Sequence, residues 1–393
     1  MGSPRCLAAL WLAAHAAWAY PRTCLTARAR GLACVDENVT TSDGFILQVH
    51  RVEGVGGGPD GTGGEKKVAL LQHGLVDSSE TWVANYGNGS LAFQLADRGW
   101  TVYLANSRGR EPYWHETLKA ADPAFWAWSW DEMAALDLPA TVDHVLARTG
   151  AERLSYAGHS QGTTLAMVGA SINASLAARL DVVALLAPVG ILRHGNFGNI
   201  TRTYELGKWL CARVPETCDE GIWDALHDAA PVVCDRFGYP LCVDAVCDVA
   251  GCRSHDGYNE SVLVDVVFAH SYFAGTSFRN LAHFEQMEQR NATEVRKFDF
   301  GNASANVAAY GRATPPAYDL SKFAGKAAAF VGTADRMVPE ADALETLALL
   351  TSAKFAKPTA LLEGYGHGDF IWSLDAATRL YPRIVALFEE ERL

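Results

Sequence analysis

The pentapeptide GHSQG at 158–162 has the residue types and spacing best suited to covalent chemistry. It has the form G-x-S-x-G and lies between an apolar run typical of a strand and a helical pattern. In such a strand–turn–helix arrangement the glycines allow close backbone contacts, and the serine hydroxyl is exposed above a sheet. Free N–H groups at the helix N-terminus favour developing negative charge. The pattern predicts Ser160 as a nucleophile; an ordinary Gly-rich turn is the alternative.

A serine hydroxyl needs a neighbouring base, and we predict His367 for this role. In the fold that this turn indicates, the acid and the histidine follow the serine in chain order. His367 lies in GYGHGD at 364–369, a loop after a predicted strand and before the last predicted helix. The other downstream histidines lie in a segment that breaks the regular pattern: His194, His227, His255, His270 and His283.

The acid that orients the histidine should follow the preceding core strand. Asp335 comes shortly after the apolar run AAAFV and is therefore our prediction. Asp342 and Asp369 are the runners-up. Asp369 is only two residues from His367, which is poor geometry for holding the Nδ1 atom of that histidine.

Two backbone N–H groups must stabilise the tetrahedral intermediate of such a reaction. One is expected from Gln161, which follows the nucleophile, and the other from Leu75, which follows the early strand VALL. His73 precedes the serine, and we interpret it as a residue of the oxyanion loop that hydrogen-bonds locally. The predicted reaction forms an acyl-enzyme on Ser160 and needs no cofactor or metal.

Short β-rich runs alternate with helical patterns along most of the chain. This alternation, with nearly continuous apolar strands, predicts an α/β fold with a mostly parallel sheet covered on both faces. A Gly-rich run at 54–64 lacks the context of a phosphate-binding loop and is interpreted as a loop between two strands. The predicted strands are 67–72, 101–105, 153–157, 182–187, 327–332 and 358–363, and the predicted helices lie near 89–98, 131–149, 161–170, 340–350 and 374–390.

The alternation breaks between about 190 and 310, where Cys, Asn and aromatic residues are frequent. We therefore predict a signal peptide at 1–19, a first core part at 20–189, an inserted cap or lid at 190–310, and a second core part at 311–393. Aromatic residues of the cap either pack inside it or line an entrance that contacts lipid aggregates. These residues are Trp209, Trp223, Phe237 and Tyr239.

The N-terminus has the features of a secretory signal: Arg5, an apolar stretch from residue 6, and an A-x-A pattern at 17–19. Eight cysteines would remain after cleavage, which favours disulfides in an exported chain, and their spacings match no common zinc module. From proximity alone we expect Cys24 to pair with Cys34. Seven N-x-[ST] sequons are compatible with glycosylation in the same pathway: Asn38, Asn88, Asn173, Asn199, Asn259, Asn291 and Asn302.

The charge of the chain argues against nucleic acid as a partner. The formal net charge is −12, and no cluster of Lys and Arg stands out. Beyond the N-terminal segment, no run reaches the ~18 apolar residues of a transmembrane helix. We therefore expect a protein in the secretory pathway, outside the cell or in the lumen of a lysosome or vacuole. Any contact with lipid would have to be apolar.

Blocks spread over the chain resemble the acid lipase family, which includes gastric and lysosomal acid lipases and secreted plant triacylglycerol lipases. Among them are LLQHGLVDSSETWV (70–83), LSYAGHSQGTT (154–164), AHSYFAGTSFRNLAHF (269–284) and YGHGDFIWSLDA (365–376). The resemblance implies an α/β-hydrolase fold with a disulfide-rich cap. It also implies hydrolysis of triacylglycerols or sterol esters at a lipid–water interface. The family's nucleophile, acid, base and oxyanion donors match Ser160, Asp335, His367, Leu75 and Gln161.

Two departures from the family pattern leave the substrate open. ADRMVPEAD stands where the family usually has an NDLL-like block, and the cap at 190–268 matches poorly. One alternative is a carboxylesterase or thioesterase for smaller soluble esters, which would have the same triad. A second is a lipid-binding protein without catalysis, although an intact triad argues against it.

Overall fold

The computed structural model describes most of the chain outside the N-terminal segment and much of the predicted cap. The described ranges are 23–54, 66–85, 87–110, 112–195, 275–288 and 292–392, with short stretches between 240 and 262. The predicted signal peptide, the Gly-rich loop from residue 55, and the cap aromatics Trp209, Trp223, Phe237 and Tyr239 lie outside them.

A single mixed sheet forms the centre of the protein. Its strands are ordered β1-β2-β4-β3-β5-β6-β7-β8, and β9 pairs with β7. The β1–β2 and β2–β4 pairs are antiparallel, whereas all pairs from β4 to β9 are parallel. The strands are β1 Ala33–Thr40, β2 Ile46–Glu53, β3 Val68–Gln72, β4 Thr101–Ala105, β5 Leu154–His159, β6 Leu180–Leu186, β7 Lys326–Gly332, β8 Lys354–Phe355 and β9 Ala360–Leu362.

Helices follow most of the parallel strands, as the alternating pattern predicts. Short 3₁₀ segments lie at Ser79–Trp82, Pro123–Trp126 and Leu320–Lys322. The described α-helices are α1 Thr23–Ala29, α2 Leu91–Ala96, α3 Trp130–Glu132, α4 Leu138–Thr149, α5 Gln161–Ile172, α6 Ala174–Ala178, α7 Phe278–Met287, α8 Ala303–Tyr310, α9 Glu340–Ala348, α10 Asp369–Trp372, α11 Ala376–Arg379 and α12 Tyr381–Glu391.

The central strands are buried on both faces. Every residue of β3, β5 and β6 is buried. Leu70 of β3 belongs to one hydrophobic cluster, and its neighbour Leu71 belongs to the other. Because successive side chains of a strand point to opposite faces, each face of the sheet has its own core beneath a layer of helices. The predicted α/β architecture with a mostly parallel sheet is confirmed.

Two predictions from the sequence differ in detail from the structure. The helix expected at 131–149 contains a π-helical segment, Met133–Asp137, between α3 and α4. The last helix expected at 374–390 is divided into α11 and α12 at Leu380, and a proline occupies the first turn of α12. Proline fixes its own φ and restricts the residue before it, so it favours a new helix start at this point.

Two disulfides lie among the described residues. One joins Cys24 of α1 to Cys34 of β1, the pair that proximity suggested, and the other joins Cys247 to Cys252. The second lies in the predicted cap. The boundaries of that cap stay a prediction, because much of it lies outside the described residues.

Candidate active site

The G-x-S-x-G turn joins β5 to α5, and its two glycines are required by close backbone contacts. A Cβ atom on Gly158 would lie 2.6 Å from the carbonyl carbon and oxygen of Gly162. A Cβ atom on Gly162 would lie 2.6 Å from the carbonyl oxygen of Gln72 and 3.0 Å from that of His73. The turn is therefore packed against itself and against the end of β3, and larger side chains would push both apart.

Ser160 has φ 53° and ψ −121°, which is a strained conformation for a residue with a side chain. Two other non-glycine residues in the described part of the chain have positive φ: Val76 at 51° and Ala187 at 50°. The three residues follow β3, β5 and β6, which are neighbours in the sheet. Backbone strain in the described residues is thus concentrated at the carboxyl edge of the central strands, where functional sites of open α/β sheets lie.

Ser160, His367 and Asp335 meet at this edge. The Oγ atom of Ser160 lies 2.7 Å from Nε2 of His367, and Nδ1 of His367 lies 2.8 Å from Oδ2 of Asp335. The other carboxylate oxygen of Asp335 accepts hydrogen bonds from the N–H groups of Met337 and Val338, at 2.9 and 2.8 Å. With Nδ1–H donating to Asp335, Nε2 of His367 is free to take the serine proton.

The two runners-up for the acid lie elsewhere in the hydrogen-bond network. Asp342 accepts from the N–H groups of His194 and Gly195, and Asp369 accepts from those of Arg253 and Gly366. Asp369 therefore holds the backbone of the loop that carries His367, and Asp335 is the carboxylate that contacts its ring.

The loop that carries Leu75 lies directly against the serine. A Cβ atom on Gly74 would lie 3.1 Å from Cβ of Ser160. Gln161, the other predicted oxyanion donor, is the first residue of α5. The N–H groups of early helical residues have no partner within the helix, so this one can serve a developing oxyanion.

His73 makes the local hydrogen bonds that we predict from the sequence. Its Nδ1–H donates to the carbonyl oxygen of Gly74 at 2.7 Å, and its Nε2 accepts from the N–H group of Ser107 at 3.1 Å. Burial lowers the pKa of His73 to about 4, so the ring is neutral near pH 7. Ser107 also accepts a hydrogen bond from the side chain of Gln72. The loop after β4 thus supports the predicted oxyanion loop, a role that the sequence alone does not indicate for Ser107.

Among the described residues, one group has a spacing suited to a metal ion: Cys24, Asp36 and His50. Cys24 forms a disulfide with Cys34, so it has no thiolate to offer. His50 instead pairs with Asp36 at 2.7 Å. We interpret this group as structural.

A mostly parallel sheet with a strand–serine–helix turn at its carboxyl edge defines the α/β-hydrolase class of enzymes. Solved structures share this fold. An esterase from Exiguobacterium antarcticum matches with a TM-score of 0.52 at 11% identity, covering 90% of this chain and all of that one. An esterase from Thermogutta terrifontis matches with a TM-score of 0.51 at 14% identity, covering 91% of this chain and all of that one.

Sequence comparisons narrow the class to one family. Residues 25–86 match the model of the partial alpha/beta-hydrolase lipase region. Human gastric triacylglycerol lipase is 35% identical over 90% of this chain and 87% of its own length. Human lipase member N is 34% identical over 89% of this chain and 86% of its own length. The chain belongs to the acid lipase family of α/β-hydrolases and is a lipase, a carboxylic ester hydrolase.

Proposed function

We propose that this lipase hydrolyses ester bonds of neutral lipids, triacylglycerols or sterol esters, with Ser160, His367 and Asp335 as its catalytic triad. The observation that carries the proposal is the pair of contacts from Ser160 Oγ to His367 Nε2 at 2.7 Å and from His367 Nδ1 to Asp335 Oδ2 at 2.8 Å. Nucleophile, base and orienting acid thus have the geometry that acyl transfer requires.

In the proposed mechanism, Ser160 Oγ attacks the ester carbonyl carbon while His367 Nε2 takes its proton. The N–H groups of Leu75 and Gln161 stabilise the oxyanion of the tetrahedral intermediate. When the intermediate collapses, His367 gives the proton to the leaving alcohol and an acyl-enzyme remains. Water, activated by the same imidazole, then releases the fatty acid and restores Ser160.

The nucleophile can be tested with a fluorophosphonate label and Ser160→Ala. We expect the wild-type protein to be labelled once per chain and to hydrolyse p-nitrophenyl butyrate. In Ser160→Ala both the label and nearly all turnover should be lost while the fold is retained. Labelling of Ser160→Ala at the wild-type rate would show that another residue is the nucleophile.

The substrate class requires a separate experiment. We expect purified protein to hydrolyse emulsified triolein or cholesteryl oleate, measured by release of oleate at pH 5 and at pH 8. A p-nitrophenyl ester series should show that long acyl chains are accepted. Turnover of short soluble esters without any release of oleate would instead favour a carboxylesterase. No turnover of any ester would favour a lipid-binding protein.

We also propose that the protein enters the secretory pathway and is glycosylated. The disulfides Cys24–Cys34 and Cys247–Cys252 support an oxidising compartment. Among the sequons that the structure describes, Asn38, Asn88, Asn259 and Asn302 are exposed. In the part of the chain that the structure describes, no helix is long and apolar enough to cross a membrane. A mass decrease on treatment with an N-glycosidase, and recovery from culture medium or from an organelle lumen, would test the proposal.

A further inference from the structure

His159, the residue before the nucleophile, contacts the residue that carries the catalytic imidazole. It is 4% exposed, and its Nε2 atom lies 2.9 Å from the main-chain carbonyl oxygen of His367. The two imidazole rings are tilted by 47° with centroids 4.9 Å apart. The last residue of β5 therefore contacts both the ring and the backbone of His367.

The contact fixes a hydrogen on Nε2 of His159. A carbonyl oxygen can only accept, so Nε2 carries the hydrogen and donates it to His367. Nδ1 is buried without a hydrogen-bond partner among the described residues, so no acceptor stabilises a second proton there. Burial and the nearby His367 ring hold the pKa of His159 well below its usual value. A neutral ring thus lies beside the imidazole on which positive charge develops during catalysis.

Other main-chain hydrogen bonds of the loop at 363–368 are made to elements other than the strand that precedes Ser160. The N–H group of Gly366 donates to Asp369 of α10 at 2.6 Å, and the carbonyl oxygen of Tyr365 accepts from the N–H group of Ala334 at 3.0 Å. These bonds tie the loop to α10 and to the loop of the acid. Among the described residues, the bond from His159 is the one that ties the main chain of His367 to the strand of the nucleophile.

We propose that His159 is a positioning residue for ester hydrolysis: its Nε2–H bond to the His367 carbonyl holds the imidazole in reach of Ser160 Oγ. The inference rests on the proposed catalytic roles of Ser160 and His367. Misplacing a reacting group by about 1 Å can lower a rate by about a hundredfold. Loss of this bond should therefore act on kcat, because the bond positions a reacting group and its donor is a buried residue of β5.

Two substitutions of His159 distinguish the effect of losing the hydrogen bond from the effect of losing the volume of the ring. His159→Phe keeps a ring and removes the donor, whereas His159→Gln places an amide N–H close to the position of Nε2. We expect His159→Phe to lower kcat for soluble p-nitrophenyl butyrate by about 10- to 100-fold with KM changed less than twofold. His159→Gln should recover kcat to within about threefold of wild type. Active sites are counted with the fluorophosphonate label, so that kcat refers to folded protein.

His283 offers a matched control, because it is also buried and its Nε2 atom lies 2.9 Å from a main-chain carbonyl oxygen, that of Arg296. We expect His283→Phe to lower stability and to leave kcat per active site within twofold of wild type. An equal fall in kcat for His283→Phe and His159→Phe would overturn the inference, because the effect would then follow from loss of any buried histidine.

Two further outcomes would also overturn it: wild-type kcat in His159→Phe, or a kcat for His159→Gln as low as for His159→Phe. If His159→Phe does not fold, His159→Asn, whose side chain is too short to reach the carbonyl, takes its place with the same expected loss. Ser160→Ala, measured in parallel, distinguishes a failure of the proposed triad from a failure of the positioning role. Turnover that survives in Ser160→Ala contradicts the proposed triad, whereas an active triad that is indifferent to His159 contradicts only the positioning role.

Discussion

Main-chain hydrogen bonds hold Asp335 in place independently of its contact with His367. One of its carboxylate oxygens accepts two main-chain N–H groups, at 2.9 Å from Met337 and 2.8 Å from Val338, and the other faces Nδ1 of His367. The side chain of Asp335 is 1% exposed. Because its orientation is fixed by the backbone, it can select one tautomer of the imidazole and stabilise the imidazolium that forms.

Asp335→Asn should therefore lower kcat by about 10³- to 10⁴-fold with little change in fold. An amide at this position can donate to Nδ1, which would place the histidine proton on Nε2 and remove the base. Turnover of p-nitrophenyl butyrate and circular dichroism would measure activity and fold.

Asp342→Asn is the matched control for Asp335→Asn, because Asp342 is an equally buried carboxylate that contacts His194 and not His367. Its turnover per active site should stay close to wild type. A larger loss of turnover in Asp342→Asn than in Asp335→Asn would contradict our choice of acid.

At the scale of elements, α5 begins against the end of β3. Because Gly162 has no side chain, the first turn of α5 can approach the carbonyl oxygens of Gln72 and His73. The turn that carries Ser160 and the loop that follows β3 are thus placed relative to each other by direct backbone contact.

Gly162→Ala should separate these two elements, since its Cβ atom would lie 2.6 Å from a backbone oxygen that no side-chain rotation can move. We expect a fall in kcat of at least about tenfold together with a lower melting temperature. Gly325→Ala is the control, because its Cβ atom would lie 3.4 Å from the ring of Phe323, an ordinary contact. Wild-type turnover in Gly162→Ala would mean that the contact has no role in positioning the site.

Arg108 connects three elements: the loop after β4, the π-helical segment Met133–Asp137, and the turn between β1 and β2. Its guanidinium group donates to Asp137 in the π-helical segment and to Asp43 in the turn between β1 and β2. Its side chain is 1% exposed, and the guanidinium group lies 4.2 Å from the centre of the Phe45 ring. Since the next residue towards the N-terminus, Ser107, donates a hydrogen bond to His73, this ion network also anchors the loop that follows β3.

Arg108→Met should destabilise the protein by about 3–5 kcal/mol, because it leaves the carboxylate of Asp137 buried without its partner. Chemical denaturation measures this free energy of unfolding. Lys357→Met, which removes an exposed ion pair with Glu390, is the control and should change the stability little. If the two variants have comparable free energies of unfolding, the prediction that the buried ion network of Arg108 stabilises the fold is wrong.

At the scale of the whole molecule, buried neutral histidines link stability to pH. Burial lowers the pKa values of His50, His73, His159 and His283, to about 4 for His73 and about 3 for His283. These values lie below the ordinary value of 6.5, so below pH 6.5 these histidines bind more protons in the unfolded chain than in the native one. Their contribution to the free energy of unfolding therefore falls as the pH falls from 6.5 towards 4.

His283→Phe should flatten this dependence, since it removes one group that the unfolded chain protonates in this range. As the pH falls from 6.5 to 4.5, we expect the free energy of unfolding of wild type to fall by about 2 to 3 kcal/mol more than that of the variant, at 1.36 kcal/mol per pKa unit. Urea denaturation at several pH values measures the difference. Buried carboxyl groups with raised pKa, such as Asp131, Asp137 and Asp369, act in the opposite direction in both proteins and cancel in the comparison. Parallel curves for the two proteins would show that His283 does not titrate with unfolding.

The sequence by itself indicated the order of strands and helices, the class of fold and the three residues proposed for the triad. These depend on local patterns: apolar runs, a glycine-flanked serine between a strand and a helix, and polar residues that follow core strands. Strand β1 was not predicted, because its apolar and polar residues do not alternate regularly; in the structure it pairs with β2, the next strand in the chain.

Only the tertiary structure decided which of three carboxylates faces His367. It also decided which further residues support the site, namely His159 and Ser107. The sequence offers Asp335, Asp342 and Asp369 as candidates for the acid, and the choice among them depends on hydrogen bonds between parts of the chain that follow different strands. His159 and His367 are 208 residues apart, and they meet because parallel strands bring their carboxyl ends to one edge of the sheet. Local sequence patterns indicate which residues follow a strand, whereas the packing of the strands determines which of those residues meet.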